Sequence, residues 1–126
     1  MKNKDLPSAE LINKLMATSF KSPTLNKQVF LWCNQIIPQI EFVESERIKL
    51  IKLYGEDIDG NIIVPKDKEQ EFINEFNQVL NADVGVDIIK FSLTEQDFED
   101  DVCRYAKNEQ YWLSAKDINT LMKFTK

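Results

Sequence analysis

Apolar residues recur along this chain mostly at helical spacing. Leu11, Ile12, Leu15, Met16 and Phe20 fall on one face of a helix that Ser8 can cap, because a serine oxygen there accepts one of the unpaired amides of the first turn. The segment "KSPT" breaks this helix, since Pro23 lacks an amide donor and biases Ser22 away from helical angles. From Thr24 the pattern resumes, and Val29, Trp32, Cys33, Ile36, Ile37, Ile40, Val43, Ile48, Ile51 and Tyr54 form a long stripe: the scaffold helix. Pro38 lies inside it. Its missing backbone bond predicts a kink or a short break, at a cost of about 3 kcal/mol in an isolated helix.

Farther along, Asp67 and Gln70 have the separation of a capping pair, and Phe72, Ile73, Phe76, Val79 and Leu80 follow as one helical face ended by Asn81. Full burial of each would contribute about 1.5–3 kcal/mol, which predicts docking on the scaffold helix. The stretch "VGVDIIKF" then alternates as a strand, with Val84, Val86 and Ile88 on one side. Thr94 with Asp97, and Ser114 with Asp117, repeat the capping logic. They predict two more helices, the first turning Phe98, Val102 and Tyr105 inward and the second Ile118, Leu121 and Met122.

The linking stretch "YGEDIDGNIIVP", residues 54–65, invites comparison with a calcium loop. With Gly60 at the glycine position, Asp57 and Asp59 fall on ligand positions. The first position is then Gly55 and the closing one Lys66, a cation that would repel the ion. No phosphate-binding P-loop sequence occurs. The stretch therefore reads as a helix stop at Gly55, in the left-handed conformation that favours glycine, followed by a hairpin turning at "DG". Pairing of its 62–64 arm with residues 84–88 gives a sheet of about three strands. The fold class expected is α+β: mostly helical, a long kinked scaffold helix in a small helical bundle, with a short antiparallel sheet.

Composition narrows the function. At 126 residues, 43% apolar and without repeats or linkers, the chain fits a single domain spanning 1–126. It has neither an apolar run of signal-peptide length nor one approaching the roughly 18–20 residues of a membrane span, so a soluble cytoplasmic protein is expected, with no membrane partner. Cys33 and Cys103 sit among apolar or aromatic neighbours and read as reduced core thiols. Histidine is absent, which removes the usual general base and the commonest metal ligand. The net charge of −5 is uneven: the first forty residues carry five lysines, Lys2, Lys4, Lys14, Lys21 and Lys27, against Asp5 and Glu10, leaving −8 for the rest. That balance argues against direct nucleic-acid binding.

The densest charge is "TEQDFEDD", with Glu95, Asp97, Glu99, Asp100 and Asp101. Only Glu95/Glu99 and Asp97/Asp101 share helical faces, and no lysine motif or further metal ligand accompanies them, so a solvated face at a helix start is the simpler reading. Such a face can also imitate phosphate spacing and occupy a basic cleft on another protein. Tyr111 and Trp112, an aromatic pair before the last helix, are the candidate anchors beside it.

Taken in order, "AELINKLM", "ESERIKLIKLYGEDIDGNIIVP", "EFINEFNQVLNADVGVDIIKFSL" and "LSAKDINTLM" resemble a domain-of-unknown-function family of small proteins from phages and prophages of Gram-positive bacteria. The resemblance spans nearly the whole chain and rests on architectural marks, so it carries over no catalytic residue. It implies a phage product that works by binding. The expectation is a non-enzymatic, stoichiometric inhibitor of a host nucleic-acid-handling or nucleotide-sensing effector, a monomer or small homo-oligomer without cofactor or metal. Its partner is a host or phage protein with a basic surface, met through Glu95, Asp97, Glu99, Asp100, Asp101, Tyr111 and Trp112. The alternatives are a tail or assembly component found in the virion, and a carboxylate-metal hydrolase using Glu95, Asp97, Glu99 or Asp101.

Overall fold

A computed structural model describes residues 1–20, 22–91 and 113–125. Among these the chain is mostly helical: α1 (Ala9–Ala17), α2 (Pro23–Tyr54), a hairpin of β1 (Glu56–Ile58) and β2 (Asn61–Ile63), α3 (Glu69–Asn81) and α4 (Ala115–Met122), preceded by a 3-10 turn at Asn3–Asp5. The fold is α+β. The chain divides into two compact units, Pro7–Ile37 with Val86–Lys126, and Met1–Leu6 with Pro38–Gly85; α2 contributes its first half to one and its second half to the other.

The first of these holds the core. Ser8 caps α1 as its sequence predicts, its Oγ accepting from the Leu11 amide at 3.2 Å, and Leu11, Ile12 and Leu15 are buried. Met16, expected on that face, is 65% exposed, so the buried stripe is narrower than the apolar one. Between the helices, the Asn26 carboxamide bonds both the N–H and the C=O of Phe20, at 2.8 and 2.9 Å. Helix α2 begins at Pro23 itself, one residue before the expected start, with Ser22 Oγ accepting from the Leu25 amide at 3.3 Å. Proline is well suited to a first helical position, where its missing N–H would lack a helical partner anyway.

Trp32 is fully buried between Phe91 and Phe124, with ring centroids 5.0 and 5.2 Å away. Leu25, Val29, Cys33, Ile36, Leu113 and Leu121 complete this core. The expected capping box of α4 is present: Ser114 Oγ accepts from the Asp117 amide at 3.2 Å, and the Asp117 carboxylate accepts from the Ser114 amide at 2.9 Å. Leu121 is buried and Ile118 half-buried, whereas Met122 is exposed.

Helix α2 runs without a break through Pro38. The bond lost there is the one to the Asn34 carbonyl, and Asn34 and Pro38 are both exposed, so water can satisfy the freed oxygen.

The second unit contains the hairpin, in register Glu56↔Ile63, Asp57↔Ile62 and Ile58↔Asn61. Its turn uses left-handed angles at Asp59 (φ 53°) and Gly60 (φ 85°), and Asp57 Oδ1 accepts from the Gly60 amide at 3.1 Å. Gly55 is not in the left-handed conformation its sequence position suggested. It is required for space: a Cβ there would overlap the Ile51 carbonyl and the Ile62 side chain.

Further sequence expectations are corrected. The sheet has two strands among the described residues, because residues 84–88 join no ladder. Gly85 takes φ 84°, its amide is bound by Asp83 Oδ1 at 2.7 Å, and the Val84 amide bonds the Met1 carbonyl instead. Farther on, the Gln35 carboxamide substitutes for a neighbouring strand, donating to the Asp87 carbonyl at 3.2 Å and accepting from the Ile89 amide at 2.7 Å. The Asp67/Gln70 capping pair is also absent. Lys68 N–H bonds the Pro65 carbonyl in a tight turn, which leaves Lys68 as a helical-angle N-cap with no side-chain cap, while Gln70 bonds Asn74.

Nor does α3 bury its apolar face: none of its residues is fully buried. Polar ties hold it. Asn3 is buried and bonds the carbonyls of Val79 (side chain, 2.8 Å) and Ala82 (backbone, 3.0 Å), and Tyr54 OH donates to Glu75 at 2.7 Å.

Candidate functional site

The residues singled out in the sequence for partner binding, Glu95, Asp97, Glu99, Asp100, Asp101, Tyr111 and Trp112, lie outside the described residues, as do Cys103 and the helix expected after Thr94. The described residues contain no group of three or more histidine, cysteine, aspartate or glutamate side chains placed to hold a metal ion. Among them no helix is long and apolar enough to cross a membrane.

What they do contain is a surface on the unit Met1–Leu6 with Pro38–Gly85. Its sequence carries twelve acidic residues against seven basic ones, while the other unit carries nine of each. The whole net charge therefore belongs to this unit. Its only buried hydrophobic residue is Val84, whereas Phe42, Ile48, Leu53, Ile58, Ile62, Ile63 and Ile73 are exposed. Exposed apolar side chains mark an interaction site where they gather beside other apolar residues, which here occurs in two grooves.

Three of these side chains line two grooves, both with walls from α2 and α3: Phe42 one, Ile62 and Ile73 the other. One, of about 450 Å³, has Phe42, Leu50, Val79 and Ala82 as apolar walls with Glu46, Glu75, Gln78 and Asn3. The 42/46/50 row lines it because residues four apart share a helix face. The other, of about 310 Å³, presents Ile51, Ile62, Val64, Phe72, Ile73 and Phe76, with Arg47 and Glu69 at its margin. Phe72 and Phe76 stack there with parallel rings 6.1 Å apart.

The charges around these grooves are unequally compensated. Arg47 is engaged by Glu44 through both Nε (2.9 Å) and Nη2, an exchange that holds the Glu44 carboxyl below its ordinary range. Glu46 meets the exposed Lys49 at 3.1 Å. Glu75 has a hydroxyl as its partner, and its negative charge raises the Tyr54 phenol, chiefly through the hydrogen bond it accepts. Of the two acids of the first groove, Glu46 is paired with an exposed, displaceable lysine and Glu75 with a neutral hydroxyl, an arrangement that leaves Glu75 open to an incoming cation.

In the other unit, Lys14 Nζ meets Asp117 Oδ2 at 2.7 Å with both side chains mostly buried, tying α1 to α4. Burial pushes the Cys33 thiol up to about 11, which suits a core residue and removes it as a nucleophile at neutral pH. The Trp32 indole N–H is buried without a partner, the sole such side-chain atom among the described residues. A groove of about 490 Å³ between α1 and α2 exposes Met16 and Phe30 above Leu15, Val29 and Cys33.

The signal for the acidic, apolar surface was present in the sequence, as acids interleaved with isoleucines through β1, β2 and α3. Periodicity assigned the apolar residues of α3 to docking on the scaffold helix and residues 62–64 to a sheet, whereas Ile62, Ile63 and Ile73 are exposed. No protein-family model, curated protein or solved structure matches this chain.

Proposed function

We propose that this chain acts without catalysis, by stoichiometric binding to a protein with a basic surface, as a phage-encoded inhibitor of a host effector that handles nucleic acid or senses nucleotides. The observation that carries the reading is the coincidence, on one unit, of the whole net negative charge with a run of exposed apolar side chains. Charge of that kind accelerates encounter with a basic cleft and suppresses wrong partners; apolar contact then sets the lifetime of the complex. The carboxylates at Glu95, Asp97, Glu99, Asp100 and Asp101 add acidic charge within the sequence of the other unit, with Tyr111 and Trp112 as candidate anchors.

The test is affinity capture from infected host lysate, followed by titration of the purified partner's activity. Inhibition that saturates at a fixed stoichiometry and weakens with salt supports the reading. Recovery of virion proteins, together with a ring or filament in place of a monomer, would assign the chain to the particle instead. Metal-dependent turnover abolished by Asp97→Asn and Asp101→Asn would make it an enzyme.

A further inference from the structure

We propose that the groove between α2 and α3 walled by Phe42, Leu50 and Val79 is the docking site for a cationic amphipathic helix of the partner protein. The inference rests on the binding function proposed above and names where, and for what, that binding occurs.

Its shape fits a helix. The α2 wall runs over residues 42, 46 and 50, which at 1.5 Å per residue is about 12 Å, or roughly two turns. A third helix laid between two others in this way presents apolar residues at i, i+3 or i+4, and i+7. Phe42 is 52% exposed at the groove's edge, a large apolar side chain left to water in the absence of an occupant.

Its charge selects the occupant. Glu46 and Glu75 stand on opposite walls, and the unit around them carries five more acids than bases. Lysine or arginine flanking the occupant's apolar stripe would meet both carboxylates. A second copy is disfavoured by the same count, because each copy would bring that acid surplus to the interface. Nucleic acid and anionic membrane are repelled likewise.

The experiment uses the full chain and a labelled amphipathic peptide of leucine and lysine, read by fluorescence anisotropy, with a leucine/glutamate peptide of the same pattern as control. Binding of the lysine peptide alone is expected, weakening between about 50 and about 500 mM salt as screening shortens the reach of the charges. Phe42→Ala and Glu46→Lys should each weaken it by about tenfold, the scale of losing one anchor. Ile48→Ala, exposed and on another face of α2, should leave it unchanged, and thermal melting of each variant checks that it is folded.

Equal binding by the groove variants, or equal loss with Ile48→Ala, overturns the proposal. So does a concentration-dependent dimer abolished by Phe42→Ala, which would make a second copy the occupant. A host protein captured by the intact chain and retained by both groove variants overturns the groove assignment while the binding function stands. Groove-dependent peptide binding with no stoichiometric partner in lysate supports the groove and overturns the inhibitor reading.

Discussion

At the scale of single residues, this protein depends on a few positions whose chemistry has no substitute. Gly55 is one, needed for room between the Ile51 carbonyl and Ile62; Gly55→Ala should destabilise by about 1–3 kcal/mol, as overpacking does, measured by urea unfolding. Asp117 is another. Burial alone would raise its carboxyl, but the Lys14 ammonium and the Ser114 bonds outweigh it and hold the pKa below the ordinary value. A carboxyl depressed on folding contributes stability that is present above its unfolded pKa and lost as pH falls through the folded one. Acid should therefore loosen the α1–α4 tie below about pH 4, the ordinary aspartate range, and Asp117→Asn should flatten that limb of a stability–pH curve. Lys14 is raised, chiefly by its hydrogen bond to Asp117, so its share is present below the ordinary lysine range and lost only in strong base. The Ser8 cap and the Ser114/Asp117 box were legible in the sequence because their partners lie within one turn. The Lys14 contact was not, because its partner is 103 residues away.

At the scale of elements, local pattern specified helices well and the sheet poorly. A helix pairs its backbone within itself, so periodicity and caps suffice to locate it. A strand needs a neighbour, and the 84–88 segment found Met1 and the Gln35 carboxamide where a strand was expected. Replacing Gln35 by alanine should strip the partners from the Asp87 carbonyl and the Ile89 amide, costing about 1–3 kcal/mol and accelerating hydrogen exchange at Ile89. Pro38 has the opposite expectation. Since α2 is continuous there, Pro38→Ala restores one helical bond and should raise the melting temperature, with a gain of up to about 3 kcal/mol; a lower melting temperature would show that the helix requires the proline.

At the scale of the whole molecule, burial and charge are partitioned. The unit of Pro7–Ile37 with Val86–Lys126 contains the aromatic core around Trp32, and the other buries Val84 alone among its hydrophobic residues. Amides of α3 should therefore exchange through lower-energy openings than those of the buried turn of α2 around Trp32, a difference that native-state hydrogen exchange resolves residue by residue. The sequence by itself determined α1 to α4, the Ser8 and Ser114 caps, the hairpin turn and the acidic balance, because each follows from neighbours within a few residues or from simple composition. Tertiary structure alone decided which apolar stripes are buried. Leu11, Trp32 and Ile36 entered a core, while Phe42, Ile62 and Ile73, no less apolar, were left facing water beside glutamates. Helical period fixes which side chains share a face; only the packing of distant segments determines whether that face is covered.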